Sequence, residues 1–499
     1  MRPLGRKPLA VLLAGAVAVL PVMAMGQDRA PARIIRNVAI VDTATGEISP
    51  AMSIRVEAGR IAAITATAQA DEAAAEIIDG TGLFAVPGYL DMHAHGIVAD
   101  GGDHAHAGIG DQQAVFDLMI ANGVTGFREM SGGAEVIARA AQLRQQAEAG
   151  GIAAPRILEV PGVLYVGQGG PDPQAAADFV AAQQAAGADF FKIIGGPKPG
   201  VLAALAAADA AGMRVAGHLP QTVSTEEAIA GGWDVFEHLG GSVGINLDCA
   251  SAGPVMRSRM NEGGATPPAM TPNFILNPLL FIGNDAAPAL QATVDSHDDG
   301  KCRDLARLLV DNEVWQVPTL IRLRTLAHGA DPVYREDPNL GFLPAQTRDL
   351  WQRLGQDFAE GITPEAQAAM AAAYDRKLAI TGLFKEAGVP MLAGSDLGGI
   401  WILPGFGLHQ EFRELSKAGF SPLEVLQATT RNAASFLGRQ DDLGAVAPGF
   451  HADLVLLEAN PMQAVENFSA IAGVMLGGRY FPAAELAEMK ARVAARSAE

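Results

Sequence analysis

Both ends of the chain carry short stretches with a β-type pattern of apolar and polar residues. Residues 34–41 and 52–64 have this pattern, with turns expected at Thr45-Gly46 and Ala58-Gly59, and a matching stretch returns at 451–457. Between the two ends, short apolar runs alternate with alanine-rich segments. This alternation is typical of repeated β–α units.

The central part of the chain holds eight apolar runs that predict strands, at 84–91, 123–128, 157–160, 189–194, 214–218, 235–238, 315–320 and 390–396. Helices are expected between them, at 176–187, 199–211, 225–231 and 364–387. Eight such units predict an α/β fold, a (β/α)8 TIM-like barrel over residues 87–439. In such barrels the catalytic residues lie at the C-terminal ends of the strands.

Two connections between these runs are too long for simple turns. They are expected as loop insertions at about 240–298 and 321–362. Long ordered loops in compact domains are usually functional, so both are interpreted as a lid or pocket wall.

The first residues have the layout of a signal peptide. Arg2, Arg6 and Lys7 precede an apolar run, which small residues follow near Gly26. Residues 1–26 are therefore predicted to be a cleaved signal peptide. The alternative is that they form an uncleaved membrane anchor. Cleavage predicts a periplasmic or secreted protein with no stable membrane anchor, because no later segment is long and apolar enough to span a membrane.

The net charge bears on the partners of the protein, and the two cysteines bear on disulfide formation. Removing residues 1–26 deletes three positive and no negative charges, which moves the formal net charge from −19 to −22. A strongly acidic protein repels phosphate backbones, so nucleic acid is excluded as a partner. Cys249 and Cys302 are expected either to form a disulfide in an oxidising compartment or to remain buried thiols.

The first strand run ends in a pair of histidines, His93 and His95. Alternate residues of a strand point to the same face, so both imidazoles can reach one cation. A rival pair, His104 and His106, has no preceding strand and is interpreted as a solvated loop.

Lys192 lies inside an apolar strand run, where an unpaired ammonium is costly to bury. One explanation is a salt bridge. The other is a carbamate, formed when a desolvated neutral amine takes up carbon dioxide and becomes an anionic bridge between two cations. Beside the other candidate ligands, the second explanation is favoured.

Three further strand runs end in a candidate ligand. His218 and His238 lie twenty residues apart, the length of one β–α unit, so they are expected on adjacent strands. Asp396 ends the eighth run, and closure of a barrel would return it beside His93 and His95. This mixture of nitrogen and oxygen ligands suits zinc, with manganese, cobalt or iron as alternatives.

The order of these ligands resembles that of the amidohydrolase superfamily with a binuclear centre. The run 86–95 (VPGYLDMHAH) is similar to its first motif, and 123–130 (GVTGFREM) resembles its second strand. The C-terminal runs 428–434 (ATTRNAA) and 443–454 (LGAVAPGFHADL) also resemble this superfamily, and they are as specific to it as the metal motif. The chain looks closest to the imidazolonepropionase-like branch, with its Xaa-Pro dipeptidases and ochratoxinase-type hydrolases. Lys192 points toward the peptidase-like members, because imidazolonepropionases lack the bridging lysine.

The resemblance implies a fold and a mechanism. Residues 27–86 and 440–482 would form one small composite β-sandwich. His93, His95 and Asp396 would hold one divalent ion, His218 and His238 a second, and carboxylated Lys192 would bridge both. A water shared by the two ions, which are expected to be Zn²⁺, would attack the substrate carbonyl, with Asp396 as general acid and base.

A dipeptide or an N-acyl amino acid is the expected substrate, with cleavage of its amide C–N bond. Its carboxylate would be bound by Tyr165, Arg322 or Arg324 from loops at the barrel mouth. Glu129, Glu237 and Arg128 are interpreted as groups that support the metal-binding histidines. Two other functions stay open: a lactonase or esterase at the same metal site, and a catalytically silent binding protein. The oligomeric state is also open, a homo-oligomer included.

Overall fold

The computed structural model describes residues 32–69, 75–98, 109–241, 243–262, 276–277 and 283–497. The expected signal peptide and the pair His104 and His106 lie outside the described residues. The described strands are β1 Ala32–Ile40, β2 Met52–Glu57, β3 Arg60–Ala66, β4 Ala75–Asp79, β5 Phe84–Pro87, β6 Tyr89–Ala94, β7 Val124–Glu129, β8 Arg156–Ile157, β9 Phe191–Ile193, β10 Val215–Gly217, β11 Val235–Glu237, β12 Trp315–Val317, β13 Leu454–Leu457, β14 Ile471–Leu476 and β15 Arg479–Pro482.

The helices lie mainly between the central strands, as an α/β fold requires. They are α1 Gln112–Ala121, α2 Ala134–Glu148, α3 Pro173–Ala185, α4 Lys198–Ala211, α5 Thr225–Ala230, α6 Gly244–Asp248, α7 Gly253–Glu262, α8 Ala287–Asp295, α9 Asp299–Asp311, α10 Leu320–Ala327, α11 Pro332–Arg335, α12 Ala345–Gly361, α13 Pro364–Ala387, α14 Phe406–Lys417, α15 Pro422–Ala428, α16 Arg431–Phe436 and α17 Ala483–Ser497. Among the described helices, none has both the length and the hydropathy to cross a membrane.

Local sequence explains where several helices begin and end. α13 begins after Thr363, whose side chain accepts the backbone N–H of Ala366, and it ends at Gly388 in the left-handed conformation. α5 begins with a capping box formed by Ser224 and Glu227. The helices predicted at 176–187, 199–211, 225–231 and 364–387 correspond to α3, α4, α5 and α13.

The two ends of the chain meet in one sheet. Within the described ranges, its path is β15-β14-β13-β5-β1-β2-β3, and β4 pairs with β1. The sheet is mixed, because β1 runs parallel to β4 and β5 whereas its pairing with β2 is antiparallel. Buried apolar residues of both ends pack together on it, including Ile35, Ile54 and Leu456.

The central strands form two parallel sheets, β6-β7-β8 and β12-β11-β10-β9. A parallel bridge between Pro161 and Phe190 lies between these sheets, and another joins Gln316 to Met391. The N–H of Met92 in β6 donates to the carbonyl of Ala393 at 2.9 Å. One apolar cluster contains residues of β6, β10, β11 and β12 and of the segments beside them: Leu90, Met92, Phe190, Ala216, Val235, Val317 and Leu392.

The first and last central runs differ from the prediction. Residues 84–91 are not one strand, because β5 joins the mixed sheet and β6 begins the parallel one. The break falls at Gly88, where a Cβ would lie 2.0 Å from Oγ1 of Thr125, so only glycine lets the chain pass so close to β7. Residues 390–396 form a single bridge, from Met391 to Gln316, rather than a strand, and at Asp396, with a φ of 54°, the chain leaves the extended conformation.

The two long connections are not irregular loops where the structure describes them. Residues 321–362 are mostly helical, in α10, α11 and α12, so the expected loop insertion there is wrong in its secondary structure. In the first connection, a disulfide joins Cys249, after α6, to Cys302 in α9. Both cysteines are fully buried.

Candidate metal centre

His93 and His95 lie together at the end of β6, as their spacing predicts. Nε2 of His93 lies 3.1 Å from Oδ1 of Asp396, and Nε2 of His95 lies 3.2 Å from the same oxygen. Asp396 follows the segment that bridges to β12, and its backbone N–H donates to the carbonyl of His93 at 2.7 Å. The two ends of the central region therefore meet at this carboxylate.

His238 joins this group from the end of β11. His93, His238 and Asp396 are buried, and each offers one ligand atom within 4.8 Å of those of the other two. The ring centroids of His93 and His238 are 4.5 Å apart, and those of His218 and His238 are 4.8 Å apart. His218 therefore lies beside the cluster, on the side of His238.

Lys192 lies in β9, and its side chain is buried beneath these histidines. Nζ donates to the carbonyl of Met130 at 2.8 Å, and no described carboxylate forms an ion pair with it. Burial lowers the pKa of Lys192 to about 8, although Glu237 and Asp396 oppose this shift. The structure thus lacks the close salt bridge that was one explanation for a lysine at this position.

Burial also governs the protonation of the other groups. It lowers the pKa of His218 to about 3 and that of His238 well below the ordinary value, so both imidazoles are neutral near pH 7. For Asp396 burial alone would raise the pKa, but His93, which is also buried and whose own pKa is raised by Glu237 and Asp396, holds it well below the ordinary range. Neutral imidazoles beside an ionised carboxylate are the forms in which these residues bind a cation.

Buried partners orient the histidine rings. Oε2 of Glu237 lies 2.7 Å from Nδ1 of His93, and Arg128 donates to Oε1 of Glu237 at 2.9 Å. Oγ of Ser131 lies 2.8 Å from Nδ1 of His95. Glu129 instead accepts backbone N–H groups of Gly96, Ile97, Met130 and Ser131 and so shapes the loop after β6.

Two of the three residues expected to bind the substrate carboxylate lie elsewhere. Tyr165 is fully buried, and its ring packs against Phe179 and Phe191. The guanidinium of Arg324 contacts the hydroxyl of Tyr334 and lies 3.6 Å from Glu414. Both side chains complete packed clusters around the central strands, which sequence spacing did not reveal.

Arg322 does lie at the candidate metal centre, but it is buried there and does not lie on an exposed loop. Its side chain is buried, and Nε lies 3.3 Å from Oδ2 of Asp396. Gly399 makes room for it, since a Cβ there would lie 2.8 Å from Nη1 of Arg322. The structure therefore pairs Arg322 directly with the carboxylate that also contacts His93 and His95.

Sequence reasoning missed two residues that tie strand ends together. Asp91 accepts the backbone N–H of Ser395 at 2.9 Å and its hydroxyl at 2.5 Å, which fixes Asp396 relative to β6. Thr319 follows β12, and its hydroxyl contacts Nδ1 of His238. Its position at a strand end, shared with the candidate ligands, was the signal that could have identified it.

The comparisons with known proteins bear on this same region. Residues 376–480, which include Asp396, match the sequence profile of the amidohydrolase family. The resemblance of the sequence to the amidohydrolase superfamily is thereby confirmed.

Curated amidohydrolase relatives match parts of the chain. Ochratoxinase of Aspergillus niger is 30% identical over 165 residues, which are 32% of this chain and 33% of that protein. Imidazolonepropionase of Cereibacter sphaeroides is 28% identical over 217 residues, which are 38% of this chain and 51% of that protein. The chain thus spans about a third to a half of the length of these relatives.

Solved amidohydrolase structures extend the likeness over nearly the whole chain. Bottromycin amidohydrolase is 22% identical, with a TM-score of 0.67 over 94% of this chain and 91% of that one. A Xaa-Pro dipeptidase with bound methionine is 18% identical, with a TM-score of 0.57 over 90% of this chain and 100% of that one. At these identities the likeness concerns the fold alone, and it implies a TIM-barrel-like α/β fold.

Proposed function

We propose that this protein is a metal-dependent hydrolase that cleaves the amide C–N bond of dipeptides or N-acyl amino acids. The observation that carries the proposal is the buried group of His93, His238 and Asp396, whose potential ligand atoms lie within 4.8 Å of one another. The amidohydrolase family domain contains Asp396 and gives the proposal its reaction class.

The donor set fits two divalent cations. Imidazole nitrogens and a carboxylate oxygen suit zinc, which is the metal we propose. His93, His95 and Asp396 would hold one ion, and His218 and His238 the other. Lys192 supports the proposal of a second ion. A buried amine with a pKa of about 8 is partly neutral at pH 7, so it could take up carbon dioxide and form a bridging carbamate.

The chemistry divides between the cations and the protein. Divalent cations supply acidification of a bound water and polarisation of the scissile carbonyl. Asp396 accepts the proton released by the attacking water and transfers it to the leaving nitrogen. Arg322, 3.3 Å from Oδ2 of Asp396, keeps that carboxylate ionised and oriented before the transfer.

The substrate class follows from the relatives rather than from a mapped pocket. Ochratoxinase and a Xaa-Pro dipeptidase are both similar to this chain. Substrates of the proposed class carry a carboxylate, and Arg322 is the cation closest to Asp396 among the three candidates named from the sequence. We therefore keep Arg322 as the candidate for carboxylate recognition and withdraw Tyr165 and Arg324.

We also infer the finer architecture and the location. The bridges from Pro161 to Phe190 and from Gln316 to Met391, with the Met92–Ala393 hydrogen bond, support a closed eight-stranded barrel. The shared sheet of both chain ends supports a composite β-sandwich domain. The basic and apolar start of the chain, together with the Cys249–Cys302 disulfide, supports export to the periplasm or the medium.

A substrate screen with controlled metal content tests the function. The protein, stripped with a chelator and reloaded with zinc, is assayed against dipeptides, N-acyl amino acids and lactones, and its metal content is measured. We expect two zinc ions per chain and hydrolysis of amides that the chelator abolishes. Turnover of lactones alone would favour the esterase alternative, and metal content far below one per chain would favour a silent binding protein.

A further inference from the structure

Residues after two neighbouring strands, and at the end of the segment 390–396, adopt a backbone conformation that side chains rarely tolerate. His238 and Leu239 after β11, Thr319 after β12, and Asp396 all have φ between 44° and 57°. A left-handed conformation costs a residue other than glycine about 1–3 kcal/mol and persists only where surrounding contacts enforce it. Two side chains, Thr319 and Lys377, contact His238 at this turn.

Thr319 acts on the imidazole ring of His238. Its hydroxyl donates to the carbonyl of Pro318 at 2.8 Å, which uses its single proton. With that proton directed at the Pro318 carbonyl, the same oxygen accepts toward Nδ1 of His238, an arrangement in which Nδ1 carries the ring proton. Nε2 is then unprotonated, which is the state a metal ligand requires.

The backbone of Thr319 is itself held from two sides. Its carbonyl accepts the N–H of Arg322 at 2.9 Å, and Thr319 is the N-cap residue of α10. Oε2 of Glu411, in α14, accepts the N–H of Ile321 at 2.8 Å. Thr319 and Glu411 are both fully buried, so the start of α10 is anchored inside the protein rather than free to move.

Lys377 acts on the backbone of His238 from the opposite side. It projects from α13, is buried, and donates from Nζ to the carbonyls of His238, at 3.4 Å, and Gly241. These two carbonyls bracket the left-handed turn formed by His238 and Leu239. A single amino group that donates to both carbonyls holds the turn closed.

We propose that Thr319 and Lys377 are positioning residues for His238, Thr319 by fixing the ring tautomer and Lys377 by holding the turn that carries the ring. This inference rests on the proposed metal-dependent function only in so far as His238 binds a cation. Neither residue contacts the reacting atoms. Both would act by presenting Nε2 of His238 in one orientation.

Four variants separate this role from simple packing. Thr319→Val keeps the β-branched shape but removes the acceptor, and Thr319→Ser keeps the hydroxyl. Thr319→Gly removes the hydroxyl, and glycine adopts the left-handed conformation without strain. This variant therefore still tests the role of the hydroxyl if Thr319→Val does not fold. Lys377→Met keeps the length of the side chain without its donors. Thr43→Val is the matched control, because Thr43 is also buried and donates to a carbonyl, that of Gly444 at 3.0 Å.

The first readout is the dissociation constant for Co²⁺, measured by chelator competition and by the visible spectrum of the bound ion. We expect Thr319→Val, Thr319→Gly and Lys377→Met each to weaken binding by about 10- to 100-fold, the usual effect of losing a partner of a ligating histidine. Thr319→Ser and Thr43→Val should retain the wild-type constant and spectrum. Unchanged Co²⁺ binding in Thr319→Gly and Lys377→Met would overturn the inference.

The second readout needs no metal. Long-range ¹H–¹⁵N correlation spectra of histidine-labelled apoprotein, assigned with His238→Gln, report which ring nitrogen of His238 is protonated. We expect a protonated Nδ1 in the wild type and in Thr319→Ser, and a mixture of tautomers in Thr319→Val. A protonated Nε2 in the wild type would overturn the inference even if the protein binds metal. If the wild type binds no metal, the proposed function fails while this measurement still decides the role of Thr319.

Discussion

Glu237 and His93 form a buried ion-pair contact across the central strands, with 2.7 Å between Oε2 and Nδ1. Burial alone would raise the pKa of Glu237, but His93 and Arg128 outweigh it and lower the pKa. An ionised carboxylate can only accept hydrogen bonds, so Nδ1 of His93 donates the proton. Nε2 of His93, 3.1 Å from Oδ1 of Asp396, is then the ring nitrogen that faces the candidate metal site.

Replacement of Glu237 by glutamine tests this contact. An amide cannot accept from both His93 and Arg128 with full strength, so the orientation of His93 should loosen. We expect Glu237→Gln to weaken metal binding by about 10- to 100-fold, measured by chelator competition. Glu360→Gln is the control, because the hydrogen bond described for this side chain joins it to Gln356 on the surface. Equal metal affinity in wild type and Glu237→Gln would remove Glu237 from the centre.

Asp396→Asn addresses the proposed proton transfer. The amide keeps the size of the side chain but cannot take up the proton of the attacking water. We expect kcat to fall by about 10²- to 10⁴-fold, the usual contribution of a general acid or base, with a melting temperature close to that of the wild type. The measurement is steady-state kinetics on the best amide substrate from the screen. An unchanged kcat would exclude Asp396 from the chemistry.

Lys192→Ala examines the proposed carbamate. Loss of the bridging group should reduce zinc from two ions to one per chain, measured by elemental analysis, and abolish turnover. Short carboxylic acids that enter the space should restore part of the activity. Lys198→Ala, in which a partly exposed lysine loses its pairing with Glu227, serves as the control. Full zinc content and wild-type activity in Lys192→Ala would contradict the carbamate.

His409 predicts how stability depends on pH. It is buried, donates from Nε2 to the carbonyl of Asn122 at 2.8 Å, and has a pKa lowered by burial to about 4. Because its ordinary value is 6.5, the unfolded chain takes up the proton first, and stability is lost as pH falls from 6.5 toward 4.

Between pH 7.5 and 5 the contribution lost through His409 is about 2 kcal/mol. We expect the free energy of unfolding, measured with urea, to fall between pH 7.5 and 5 by about 2 kcal/mol less in His409→Gln than in the wild type. Glutamine can still donate to Asn122, so the two proteins should be comparable at pH 7.5. Identical pH dependence in both would mean that another group dominates acid destabilisation.

The candidate ligands illustrate what periodicity and spacing can reveal. His93 and His95 were placed on one face by the two-residue period of a strand, and the structure brings both to Asp396. His218 and His238 were separated by one β–α unit, and their rings lie 4.8 Å apart. These relationships are local or follow from one repeated unit, so the order of residues along the chain is enough to predict them.

Arg322, Arg324 and Tyr165 illustrate what spacing does not reveal. All three were expected on loops, but 321–362 is mostly helical and pairs Arg322 with Asp396 and Arg324 with Glu414. Whether a side chain faces Asp396 or Glu414 depends on how its helix packs. That packing involves α13 and α14, which lie far along the sequence.

The amino-acid sequence alone therefore determined the α/β alternation, the strand ends that carry ligand-type residues, and the likeness to the amidohydrolase superfamily. Only the tertiary structure decided the break between β5 and β6 at Gly88, the disulfide, and the contacts of Glu237, Thr319 and Lys377 with the histidines. The physical reason is distance along the chain. A strand or a helix follows from neighbours a few residues apart, whereas a buried hydrogen bond needs two distant segments to pack at one relative position.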